Sequence, residues 1–145
     1  MSRLFKKLSS LAIFLMISVC SLNVNAQEER ETNSEDVIFT VVEDQAEFPG
    51  GQDSLMKFLA ANIHYPQAAK EKGIRGRVII TFIVEKDGSL SNIKVLRDIG
   101  DGCGEEAIRV VKLMPKWKPA KQRGENVRQQ FVLPITFRLS EEKNN

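Results

Sequence analysis

The sequence predicts an α+β domain, a three-stranded antiparallel sheet packed on helices in the chain order β-α-α-β-β-α-β. Three stretches carry this prediction. Residues 77–85 alternate, with Val78, Ile80, Phe82 and Val84 on one face and Arg77, Ile79, Thr81, Ile83 and Glu85 on the other, the period of a strand with one buried face. Lys86-Asp87-Gly88-Ser89 then reads as a hairpin turn that returns the chain through residues 90–97, with Ile93 and Val95 inward. Residues 128–139 alternate again, and Phe131, Leu133, Ile135, Phe137 and Leu139 face one way.

Taken in order, the β-branched run Val37-Ile38-Phe39-Thr40-Val41-Val42 is the first strand. Phe48-Pro49-Gly50-Gly51 is a turn whose proline and glycines supply fixed and left-handed backbone angles. Leu55, Phe58 and Leu59 recur at helical spacing, which makes residues 52–62 an amphipathic helix. Pro66 suits the first position of a short second helix, because its missing N–H would find no partner there. Gly73 suits the left-handed cap that closes this helix, with Ile74 packing back on it. Beyond the hairpin, Gly100-Asp101-Gly102-Cys103-Gly104 precedes a helix as a phosphate cradle would. Asp98, Asp101, Glu105 and Glu106 surround it with negative charge, which opposes an anion at a helix start, so it reads as a loop with an acidic cap. Ala107, Ile108, Val111 and Met114 form the stripe of the third helix, which Pro115 ends. Trp117, between Lys116 and Lys118, is an anchor in the core or at its rim.

The ends of the chain address it rather than build it. Arg3, Lys6 and Lys7, an apolar run from Leu11 to Val19, and Val24-Asn25-Ala26 before Gln27 make the three parts of a signal peptide, with cleavage expected between Ala26 and Gln27. The alternatives are an uncleaved membrane anchor within residues 1–26, for which the apolar run is short, and lipidation at Cys20, which Val19 disfavours. Each of them exports the chain. Residues 27–36 are polar and acidic without apolar periodicity and are expected to be a disordered lead-in, with a second disordered stretch at 141–145 and the domain proper over 37–140.

Removal of the leader takes away three basic residues and no acidic ones, leaving 18 against 19 and a net charge of −1. The basic surplus of the whole chain therefore belongs to targeting. Within the domain the bases lie beyond Lys57 and do not interleave with aromatics, so no nucleic-acid partner is expected. Catalysis is not expected either. His64 is the only histidine and has no Cys, Asp or Glu within three residues; Cys103, the one cysteine left after cleavage, has no histidine near it in sequence. No cluster has metal-ligand spacing, and no cofactor is called for.

Tyr65-Pro66, Ala69, Gly73-Ile74, Gly76-Arg77-Val78, Asp87-Gly88, Ile93, Val95, Ala107, Trp117, Pro119 and the closing strand to Phe137 stand in an order and spacing that resemble the C-terminal domain of TonB, the periplasmic energy transducer of Gram-negative bacteria. The resemblance covers about residues 48–139. Phe48-Pro49-Gly50-Gly51, residues 114–119 and Leu133-Pro134 look like the forms found in Bacteroidota. The family implies binding without chemistry. Its domain captures a segment of a TonB-dependent outer-membrane receptor by adding it as a strand to an open sheet edge, while inner-membrane energising proteins supply force. This chain departs from the family in its cleavable-looking leader, in a spacer of about ten residues where TonB has a long proline-rich one, and in Asn62-Ile63 where the family has Gln-Pro. The readings are therefore a component of outer-membrane transport, or an exported interaction or regulatory module of the same fold. The second class includes a homodimer formed through edge strands.

Pro134 marks where such a strand would add. A proline cannot donate to a ladder, so the last strand is expected at the sheet edge with the Pro134 nitrogen outward. With a period of two, Gln130, Val132, Thr136 and Arg138 share that orientation and offer backbone groups to an incoming strand. Arg128 and Arg138 either steer an acidic peptide or are simply solvated. Protection of the edge from aggregation is the alternative role of Pro134.

Overall fold

The alternation around Phe82 and Ile135 produces two long strands, and the computed structural model, which describes residues 37–139, pairs them at the centre of the sheet. The elements are β1 (Ile38–Phe39), α1 (Gly51–Asn62), α2 (Gln67–Glu71), β2 (Gly76–Val84), β3 (Leu90–Arg97), α3 (Cys103–Lys112), β4 (Ala120–Gln122) and β5 (Glu125–Phe137). The leader and its Ala26-Gln27 junction, the lead-in at 27–36 and the tail at 141–145 lie outside the described residues.

The sheet has five strands and is mixed, which corrects the expected three-stranded antiparallel arrangement. Its order is β1-β5-β2-β3, with β4 also paired to β5. The first correction is β1: of the expected run 37–42, only Ile38 and Phe39 form a strand, and they lie parallel to β5, opposite Arg128 and Gln129. Beyond them, Asp44 and Glu47 exchange backbone hydrogen bonds of 2.8–3.1 Å with Lys121 and Lys118. The second is the β4–β5 hairpin, closed by Arg123 and Gly124 at φ 52° and 77°. Two consecutive left-handed residues match the twist of paired strands, and β5 therefore begins at Glu125, earlier than the alternation suggested.

The core takes Leu55 and Leu59 from α1, Ala69 from α2, Val78, Ile80, Phe82 and Val84 from β2, Ala107, Val110 and Val111 from α3, and Leu133, Ile135 and Phe137 from β5. Trp117 is 3% exposed and meets Phe48, Phe82 and Phe131 edge-on at centroid distances of 4.9–5.8 Å. Ile93 and Val95 of β3 pack against this cluster from the side.

Two short motifs hold the frame. Pro66 caps α2 one residue ahead of its first turn, and Gly73 at φ 65° ends it, with Ile74 N–H donating to the Ala69 carbonyl at 2.9 Å. The Tyr65 hydroxyl donates to the Ile74 carbonyl, and its ring meets Phe137 edge-on at 5.7 Å, which ties the α1–α2 connection to the end of β5. At the β2–β3 turn, Asp87 Oδ1 accepts from the Ser89 N–H and hydroxyl. Gly88, at φ 85°, accepts from Trp117 N–H at 2.8 Å, and a Cβ there would sit 2.0 Å from the Trp117 carbonyl oxygen.

Candidate functional site

β5 meets β2 through nine consecutive pairs without a register shift, from Gly76 opposite Phe137 to Val84 opposite Gln129. Ile79 stands opposite Pro134. Because Pro134 has no N–H, this pair exchanges no ladder bonds, and the Pro134 backbone turns away from β2. Counting by twos, the backbones of Gln130, Val132 and Thr136 turn the same way. The Phe131 carbonyl, of opposite parity, accepts from the Thr81 hydroxyl of β2 at 3.1 Å.

On the side of β5 away from β2, β1 pairs with Arg128–Gln129, and β4 pairs with Glu125–Val127 at the start of the strand. From Gln130 to Phe137, no strand pairs with that side among the described residues. The edge is therefore open over its C-terminal half only. The open half carries Gln130, Val132, Pro134 and Thr136, all exposed, and Val132 is 50% exposed despite being apolar. Arg138 lies one residue past the strand and is exposed.

Arg128 stands where β1 already pairs, and its side chain grips Glu85 from two nitrogens, Nε at 2.7 Å and Nη2 at 3.2 Å. That hydrogen bond, helped by the Ser91 hydroxyl and by the Arg128 charge, holds the Glu85 carboxyl below its usual range against the opposing effect of burial. Gln129, 3% exposed, accepts the Ala46 N–H at 2.8 Å through Oε1 and so fastens the segment after β1 to β5. Arg128 and Gln129, by backbone pairing with Ile38 and Phe39, and Gln129 by its side chain on Ala46, thus hold the segment from Ile38 to Ala46 to the sheet.

A cavity of about 210 Å³ opens between the free half of β5 and α1, walled by Met56, Leu59, Ala60 and Ile63 on the helix and by Pro134, Ile135 and Thr136 on the strand. Sequence reading missed it, although Met56, Ala60 and Ile63 form a second apolar stripe beside Leu55, Phe58 and Leu59. A wider cleft of about 580 Å³ at the other end of β5 is bounded by β1 and the β4–β5 hairpin and mixes Lys86, Arg123 and Arg128 with Glu125.

The groups with reactive chemistry lie elsewhere and are held. His64 is exposed, its N–H donates to Glu106 Oε1 at 2.7 Å, and its Nδ1 lies 3.3 Å from Arg109 Nη2. Cys103 is fully buried, and burial, reinforced by Asp98, Asp101 and Glu105, pushes its thiol up, away from the thiolate a nucleophile needs. Among the described residues, no group of three or more His, Cys, Asp or Glu is placed to hold a metal ion.

Residues 61–139 match the family described as Gram-negative bacterial TonB protein C-terminal, more than half of the chain. The chain belongs to that family. It is 29% identical over 105 residues to the TonB protein of one Helicobacter pylori strain, a match covering 69% of this chain and 35% of that protein. To TonB of Pseudomonas aeruginosa it is 28% identical over 81 residues, covering 54% of this chain and 23% of the other. The chain thus spans about a third or less of the length of the curated TonB proteins it matches. Among solved structures, the H. pylori TonB C-terminal domain (residues 179–285) aligns with 28% identity and a TM-score of 0.43 over 65% of this chain and 89% of that one. The P. aeruginosa domain aligns with 25% identity and a TM-score of 0.44 over 55% and 81%. As a member of the TonB C-terminal family the protein is non-catalytic. No helix among the described residues is long and apolar enough to cross a membrane.

Proposed function

We propose that this TonB C-terminal domain acts in the periplasm and binds a segment of a TonB-dependent outer-membrane receptor by taking it as an extra strand on β5. The observation that carries the reading is the open half-edge: Gln130 to Phe137 is paired in unbroken register on one side and, among the described residues, unpaired on the other, with Pro134 turned outward. Backbone groups of Gln130, Val132 and Thr136 supply the bonds, each worth about 0.5–1.5 kcal/mol net, and alternate side chains supply selectivity. Pro134 removes one donor from this row and so keeps the edge from pairing indiscriminately. Inner-membrane energising proteins are the further partners that this role requires.

The test is a titration of peptides covering the N-terminal 30 or so residues of TonB-dependent receptors into the ¹⁵N-labelled chain. Broadening or shifts of the Val132 and Thr136 amides are expected. Perturbation confined to other surfaces contradicts strand addition and favours a module of the same fold with another kind of partner.

A further inference from the structure

The cavity beside the open edge has properties that the edge alone does not explain. At about 210 Å³ it falls below the roughly 300–1,000 Å³ of small-molecule pockets. It suits one side chain. Its helix wall is apolar, and Met56 is 56% exposed there, a flexible side chain able to repack around different occupants. Ala60, one turn along α1, is exposed and short, and its small size leaves the cavity open.

The chain itself shows how an extended segment sits on this edge. In β1, Phe39 lies opposite Gln129 and shares its face, the helix side on which Gln129 is buried, while Ile38 shares the face of Arg128. A strand continuing along the same edge would alternate in the same way and bring a residue alongside Ile135, over Met56, Ala60 and Ile63.

We propose that this cavity is the selectivity pocket of the β5 edge and takes one aliphatic or aromatic side chain of the incoming peptide, at the position beside Ile135. This rests on strand addition as the mode of binding. The backbone edge then fixes the path of the peptide, and the pocket fixes its register and rejects segments with a charged residue there, since a charge buried without a partner is costly.

The probes are fluorescein-labelled octapeptides of Ser and Thr carrying a single Ala, Leu, Phe or Asp at the fourth position, titrated into the full-length chain with amide shifts followed in parallel. One variable apolar position lets each peptide choose its own register. The Leu and Phe peptides are expected to bind about tenfold or more tightly than the Ala peptide, and Asp more weakly than Ala. Ala60→Phe, at an exposed helix position that folding tolerates, fills the pocket and is expected to erase the preference for Leu over Ala. Met56→Ala removes a wall and is expected to shift the preference from Leu towards Phe. If all four peptides shift Val132 and Thr136 with equal affinity, the pocket proposal is overturned and strand addition stands. If Ala60→Phe leaves the preference intact, the cavity is not the seat of it. If no peptide moves any amide from Gln130 to Thr136, strand addition itself fails, and the pocket with it.

Discussion

Among the described residues the sheet has two free edges, and they are built differently. β3 closes one side. Its register with β2 shifts between Ile79 and Ile80 and again between Thr81 and Ile83, Asn92 sits at φ 49°, and Lys94 and Arg97 are exposed along it. Bulges and charge are how a sheet edge avoids pairing with another chain. The outer side of β5 from Gln130 onward has neither. It runs in unbroken register, carries no charged side chain until Arg138, and is interrupted only by Pro134. One edge is shielded and the other is left straight, which is what strand addition at a single defined place requires.

Five changes test the two edges, and the frame they share comes first. Gly88→Ala places a Cβ against the Trp117 carbonyl, an immovable backbone atom, at a residue already in the left-handed region. A loss of about 3 kcal/mol or more is expected, read as a lowered urea midpoint, with both edges lost together. Val132→Pro removes an outward N–H without touching the β2 ladder. It is expected to weaken receptor-peptide binding about tenfold or more by titration while leaving the urea midpoint nearly unchanged. Leu133→Pro, of inward parity, is expected to unfold the domain.

The Arg128–Glu85 pair anchors the covered half of β5 and gives a smaller, pH-dependent effect. Glu85 has a folded pKa below its unfolded value, so its stabilisation is present above the unfolded pKa, about 4.3, and is lost as pH falls through the folded one. Arg128→Met is expected to cost about 1 kcal/mol at neutral pH and to flatten the acid limb of a stability-versus-pH curve. Asn92→Val, at the β3 bulge, forces a β-branched residue into the left-handed region and should cost about 1 kcal/mol. Receptor-peptide affinity is expected to stay the same in this variant, since the proposal places binding on β5.

Much of this was legible in the chain because local chemistry and tertiary packing agree. The period-two run through Val78, Ile80, Phe82 and Val84, the Asp87-Gly88 turn, the Gly73 cap and the 107–111 stripe each have one physical reading, and each element formed where that reading placed it. What was hidden lies in pairings between distant segments. Val37-Ile38-Phe39-Thr40-Val41-Val42 has the propensity of a full strand, yet the segment after Phe39 is drawn off to pair with residues 118–121 and to bond Gln129. Nothing local in 37–42 specifies that. Arg123-Gly124 gave a weak hairpin signal because arginine is an uncommon residue for a left-handed turn position. The apolar stripe of Met56, Ala60 and Ile63 adjoins the core-facing Leu55, Phe58 and Leu59 on the same helix, and only the position of β5 shows that it borders an open edge.

Amide hydrogen exchange on the full chain, with and without a saturating receptor-derived peptide, tests the central claim most directly. Protection is expected to rise at Gln130, Val132 and Thr136, whose N–H groups face outward, while the amides of β3 exchange as before. Protection gained along β3, or none gained between Gln130 and Thr136 when the peptide is bound, would contradict it.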